Sequence, residues 1–326
     1  MRPATSRVLS SRNEIRLAGV KERYPLRGVV PIVNTPFTND DQIDIHSLTR
    51  LLETSIADGV SGFIVPAVAS EVSKLSHGER RFYVREVLAV VNQRVPVIVG
   101  VSDPDPCKAR ELAEDAVSIN ADGVLCAIPV PLIEDHSGAI EYFQEVARAG
   151  MHMLMIQDLH WGGYGMSRST LMHLWDHLDP FRCLKLETVP SGAKTSELIE
   201  ATGNRLTIGC GWSLPQLIEA LDRGTHFMTT TAINRPFVHV YNMHQAGRRD
   251  EARELFHRFV PYLAFAHQYV DISIHFYKRY CLRRGIFSTA HVREPSMAFD
   301  THHQRIADEL VEMVCTLEDE LGPITA

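Results

Sequence analysis

Lys185 and Glu187 stand two residues apart in the run Cys183-Leu184-Lys185-Leu186-Glu187-Thr188. Residues i and i+2 of a β-strand share a face, so the amine and the carboxylate point one way while Leu184 and Leu186 point the other. With the leucines packed against helices, the charged pair must face the interior of a closed sheet. A lysine desolvated there has its charged form disfavoured, which frees the amine to attack a ketone carbon. The alternative reading is a structural ion pair that fills the interior. Only six of the 33 basic residues are lysines, namely Lys21, Lys74, Lys108, Lys185, Lys194 and Lys278. The other five fall on segments that read as solvated helices or loops, so Lys185 is the expected nucleophile.

Further polar candidates cluster at the ends of apolar runs. In Ala67-Val68-Ala69-Ser70-Glu71 the small side chains allow the backbone to approach a ligand carboxylate, and Ser70 adds a hydroxyl. Ala69, Ser70 and Glu71 are therefore substrate-binding candidates, with a plain loop capped into a helix as the alternative. Gln157 and Asp158 end another apolar run, Gln157 placed to orient a substrate oxygen and Asp158 to bind substrate. Thr229, Thr230 and Thr231 close a later run, and Thr230 is the candidate there for the distal end of a ligand. His160, Trp161 and Tyr164 follow Asp158 among glycines, as a specificity loop would. The chain has 16 histidines, but His173 and His177 fall on an outer helix and no carboxylate-plus-histidine set sits at strand ends, so no metal is expected. Gly209-x-Gly211 lacks the third glycine of a nucleotide loop. No cofactor is expected.

The elements that must position these residues alternate. Continuous aliphatic runs at Gly28–Val33, Gly62–Val65, Val95–Val101, Gly123–Ile128, Met151–Ile156, Cys183–Leu186, Leu206–Gly209 and His226–Thr230 read as strands buried on both faces. Amphipathic stretches separate them, among them one opened by Ser76 with Glu79 three residues on, a capping box. Eight such units predict an α/β fold, a (β/α)8 barrel over residues 27–245, with 1–26 an N-terminal extension and 246–326 a C-terminal helical extension packed on the barrel. In such barrels chemistry sits at the C-terminal strand ends. The chain has 326 residues, 45% hydrophobic and 22% charged, with a net charge of −7. An acidic balance lacks the cationic surplus that nucleic acid binding needs, and no apolar run is long enough to span a bilayer. Six cysteines without a CxxC pair, several inside apolar runs, point to a reducing, cytoplasmic compartment.

With these residues placed, the chain resembles the family of dihydrodipicolinate synthase and N-acetylneuraminate lyase, Schiff-base lyases on a (β/α)8 barrel. Asn34-Thr35-Pro36-Phe37 matches the family's first-strand element, and Ala67 to Ser76 aligns with its second loop, keeping Glu71, Leu75 and Ser76. Pro129 matches the proline after the fourth strand, and Lys185 falls at the imine-forming lysine. The resemblance implies a small-molecule 2-keto acid substrate and a homodimer or homotetramer. Val68 and Ala69 replace the loop threonines, Gln157 replaces the fifth-strand tyrosine, and Gly162 stands where the synthase has an arginine for a second carboxylate. Synthase activity is therefore not expected.

Ser70-Glu71, Gln157-Asp158 and Lys185-x-Glu187 followed by Val189-Pro190 are more similar to the 2-keto-3-deoxy sugar acid dehydratases, particularly those of L-2-keto-3-deoxyarabonate. That implies dehydration through a Lys185 imine, with Glu187 as the acid–base and Gln157 as the orienting group. The alternatives are a pyruvate-releasing class I aldolase, a related deaminase, and a catalytically silent barrel kept for binding.

Overall fold

The protein is described here from a computed structural model, in which residues 21–212 and 214–324 are placed. Eight parallel strands alternate with helices: β1 (Gly28–Val29), α1 (Ile45–Ala57), β2 (Phe63–Val65), α2 (His77–Val91), β3 (Val97–Gly100), α3 (Pro106–Ser118), β4 (Gly123–Ala127), α4 (His136–Ala147), β5 (Leu154–His160), α5 (Arg168–His177), β6 (Phe181–Thr188), α6 (Gly192–Ala201), β7 (Thr207–Cys210), α7 (Leu217–Asp222), β8 (Phe227–Met228) and α8 (Arg235–Gln245). The sheet runs β1-β8-β7-β6-β5-β4-β3-β2. The ring closes where Ile32 bridges Ile64, with Val33 N–H donating to the Ile64 carbonyl at 3.1 Å. This is the (β/α)8 barrel that the alternation predicted. Four further helices follow: α9 (Arg249–His257), α10 (Val260–Ala266), α11 (Val270–Arg283) and α12 (Thr301–Leu321). The expected N-terminal extension lies mostly outside the described residues.

Two apolar layers hold the barrel. Val30, Ile64, Ile98, Leu125, Met155, Cys183 and Phe227 fill its interior. Ile156, Leu184, Leu186 and Ile208 face outward against the helices, with Leu171, Leu174 and Leu198 from α5 and α6. Burial on both faces explains why the strands read as unbroken apolar runs. The capping box forms as expected: Glu79 N–H donates to Ser76 Oγ at 3.2 Å, and Ser76 N–H donates to the Glu79 carboxylate at 2.9 Å. The helices α9 and α10 stay separate because Pro261 lies in the first turn of α10 and its ring cannot continue α9.

Three expectations about exposure fail. Lys194 and Lys278 are fully buried and Lys74 nearly so, although each was read as solvated. Lys194 reaches from α6 to Asp158, and Lys278 reaches from α11 to Glu71, which also holds Lys74 at 3.0 Å. Each amine is tolerated inside because a carboxylate meets it.

Candidate active site

Strand β6 sets the centre of the site. Leu184 and Leu186 pack against the helices, which turns Lys185 and Glu187 inward as the period-two pattern requires. Lys185 is 1% exposed, and its Nζ lies 3.0 Å from Glu187 Oε1. Gln157 pairs in register with Lys185 from β5, so it shares that face, and its Nε2 donates to Glu187 Oε2. The carboxylate is thus held between an amine and an amide. Gly211, just past β7, makes room for it, because a Cβ at that position would overlap the Glu187 side chain. Gly209 does the same for the Phe227 ring, so the pair of glycines serves packing in the barrel.

Above these groups lies a cavity of about 490 Å³, its mouth included. That volume suits a small metabolite. Val68 and Ala69 form one wall, and Thr229, Thr230 and Thr231 form another. Thr230 Oγ1 donates to Asn234 Oδ1 at 2.6 Å, and Thr229 Oγ1 donates to the Cys210 carbonyl at 3.4 Å. Trp161 stacks on Trp212 at 4.9 Å between ring centroids, and Trp212 meets His267 at 4.7 Å. His267, Val270, Ser273 and Tyr277 reach the cavity from the C-terminal helices.

The expected candidates therefore divide. Lys185, Glu187, Ala69 and Thr230 line the cavity, and Gln157 touches it through Glu187. Ser70 does not present its hydroxyl there: Oγ donates to the Val33 carbonyl at 2.6 Å and accepts from Ala67 N–H at 3.1 Å, tying the loop to the segment that follows β1. Glu71 turns beneath the loop, where Lys74 and Lys278 hold its carboxylate. Asp158 sits in register with Leu186, so its side chain lies in the helix-facing layer rather than at the rim. The apolar run ends at Ile156 but the strand does not; hydrogen-bonded pairing carries β5 through His160. Asp158 Oδ1 accepts from Met166 N–H at 2.9 Å, and Oδ2 binds Lys194 Nζ at 2.5 Å. Burial raises the Asp158 pKa and lowers that of Lys194, each opposed by the partner's charge. Gly165, at φ +73°, fits its loop over this pair. Asp158 thus anchors the turn that follows Trp161.

Trp212, His267, Ser273 and Tyr277 were not singled out from the sequence. Burial is the main influence on His267, pushing its pKa down to about 4. It also raises Tyr277 to about 12, while hydrogen bonds with Thr231 and Tyr262 work against that rise. Both side chains are therefore neutral near pH 7. Among the described residues, Lys185 is the one cation on the cavity wall and Glu187 the one carboxylate.

A family model described as the dihydrodipicolinate synthetase family matches residues 25–314. The 4-hydroxy-tetrahydrodipicolinate synthase of Geobacter metallireducens is 28% identical over 186 residues, covering 57% of this chain and 63% of that protein. The synthase of Salinibacter ruber is 30% identical over 149 residues, covering 45% of this chain and 49% of that protein. The matched segments therefore span about half to two thirds of those relatives. The crystal structure of the dihydrodipicolinate synthase from Rhodopseudomonas palustris superposes with a TM-score of 0.83 at 25% identity, covering 90% of this chain and all of that one.

Proposed function

The chain belongs to the dihydrodipicolinate synthetase family, and on that premise we propose that it is a Schiff-base lyase for 2-keto acids, specifically a dehydratase of a 2-keto-3-deoxy sugar acid. The observation that carries the reading is the amine of Lys185 3.0 Å from the Glu187 carboxylate at the floor of the cavity. An amine that can hand its proton to an adjacent base becomes a nucleophile. The N–H groups of Val68 and Ala69, which open the turn at the cavity wall, suit the C1 carboxylate in place of the Ser70 hydroxyl.

The reaction runs in five steps. Lys185 passes a proton to Glu187 and adds to the C2 ketone, giving a carbinolamine. Glu187 returns the proton to the departing C2 oxygen, water leaves, and the protonated imine remains. Glu187, again a carboxylate, removes a C3 proton; the C3 electrons form the enamine. Those electrons then expel the C4 hydroxyl, which takes the proton from Glu187 and leaves as water. Hydrolysis of the unsaturated imine restores Lys185 and consumes the water released in imine formation. The net change is loss of one water from the substrate. Gln157, bonded to Glu187, keeps the carboxylate aimed at C3 and C4.

An aldolase using the same imine needs a base on the C4 hydroxyl, to break the C3–C4 bond and release pyruvate. Gln157, the inward-facing residue of β5 opposite Lys185, supplies an amide, which is not such a base. Incubation with a 2-keto-3-deoxypentonate and borohydride, followed by peptide mass mapping and product analysis, tests the reading. The expected result is a reduced adduct on Lys185 and a product one water lighter than the substrate. Pyruvate with an aldehyde would replace the dehydratase by the aldolase, and no adduct with any 2-keto acid would leave a binding barrel.

A further inference from the structure

The C-terminal helices close one side of the cavity, and three polar groups on its wall, Thr229, Thr230 and His267, share a property. Thr229 and Thr230 already donate their hydroxyl protons to protein acceptors, so toward the cavity they can offer lone pairs. His267 is set the same way by its tautomer. Its Nδ1 lies 3.0 Å from the Leu263 carbonyl, and a carbonyl can only accept, so Nδ1 carries the hydrogen. Burial keeps the ring neutral, with a pKa near 4, which leaves Nε2 as an acceptor. Nε2 has no hydrogen-bond partner among the described residues, while the ring is held in place against Trp212. Among the described residues of the wall, Lys185 is the single cation.

A wall that carries the Lys185 amine and, at Thr229, Thr230 and His267, acceptors accommodates a ligand with one anionic end and hydroxyl donors elsewhere. A second carboxylate would face lone pairs and Glu187, which costs more than a hydroxyl does. We propose that His267 selects the substrate: its Nε2 accepts a hydrogen bond from a hydroxyl near the end of the carbon chain remote from the ketone, and so restricts the site to 2-keto acids with a neutral hydroxylated tail. This rests on the imine reading above, since Lys185 must hold the ketone end for the tail to reach His267. The residue lies outside the barrel strands, so the C-terminal segment takes part in recognition as well as packing.

The test uses borohydride trapping on the full chain, which reads occupancy of the imine independently of turnover. A 2-keto-3-deoxypentonate is compared with its 5-deoxy counterpart, which lacks only the terminal hydroxyl, and pyruvate trapping counts competent sites in each preparation. The unsubstituted protein is expected to need about tenfold to a hundredfold less of the hydroxylated acid for half-maximal trapping, the effect of one buried acceptor left unpaired. His267→Phe, which keeps a ring for Trp212 but removes the acceptor, is expected to bring the two acids within about twofold of each other. His267→Gln, which restores an acceptor, is expected to recover part of the preference. An undiminished preference in His267→Phe would overturn the assignment while leaving the imine intact. Absence of any Lys185 adduct in the unsubstituted protein, pyruvate included, would overturn the imine reading and this inference with it.

Discussion

Two lysine–carboxylate pairs lie on opposite faces of the same stretch of sheet. Lys185 and Glu187 face the barrel interior, while Lys194 and Asp158 lie between the sheet and its helices, and all four side chains are largely or wholly buried. The chemistry of the groups is the same, but their surroundings are not. Lys194 uses all three of its N–H bonds, donating to Asp158 at 2.5 Å, to the Tyr164 carbonyl at 2.6 Å and to the Met166 carbonyl at 2.7 Å. Among the described residues Lys185 has a single ion-pair partner, and it opens onto the cavity. An ammonium with three acceptors has every N–H bond engaged and leaves no room for a carbonyl carbon. Burial alone therefore does not mark a nucleophile; burial with unused valence beside a cavity does.

Substitution of each lysine by methionine should separate the two roles most sharply. Lys185→Met is expected to abolish the trapped adduct and lower turnover by at least about 10⁴-fold with the fold intact. Lys194→Met is expected to retain adduct formation in the molecules that fold, while leaving Asp158 as an uncompensated buried charge and lowering stability by about 3–5 kcal/mol in chemical denaturation. The comparison breaks if the losses are exchanged, with the adduct lost on removing Lys194 and stability lost on removing Lys185.

Glu187→Gln should reduce dehydration by about 10²- to 10⁴-fold, the usual contribution of a general acid–base, as read by steady-state assay. A variant with full turnover would remove Glu187 from the mechanism. Gly211→Ala places a methyl where the Glu187 side chain sits, and a displaced carboxylate is expected to cost about 10²-fold in turnover. The smallest effect sharpens the structural side. Combining Lys194→Met with Asp158→Asn removes both charges, so the double variant should recover about 1–3 kcal/mol relative to Lys194→Met alone. Failure to recover would mean that the two charges are not coupled as the 2.5 Å contact requires.

Much of the centre was legible from the chain. The alternation of Leu184, Lys185, Leu186 and Glu187 fixes which side chains face together, and eight apolar runs separated by amphipathic ones call for a barrel that gives the inward face a meaning. The same reasoning misplaced Asp158. The apolar run ends at Ile156, yet β5 continues through backbone hydrogen bonds that do not depend on side-chain polarity, and the pleat then sends Asp158 outward. Ser70 was recognised as a loop hydroxyl, but its acceptor, the Val33 carbonyl, lies 37 residues away and leaves no local trace.

By itself the sequence determined the strand period, the shared face of Lys185 and Glu187, and the family to which those residues lead. Tertiary structure decided which lysines are sealed, where the carboxylates of Glu71 and Asp158 are spent, and that Trp212, His267 and Tyr277 complete the cavity. The division has a physical reason. Periodicity records how a residue faces within its own element, because helix and strand geometry repeat locally. Whether a charged side chain meets water, a partner or a cavity depends on segments brought against it by closure of the barrel and docking of the C-terminal helices, and the spacing of nearby residues carries no record of that.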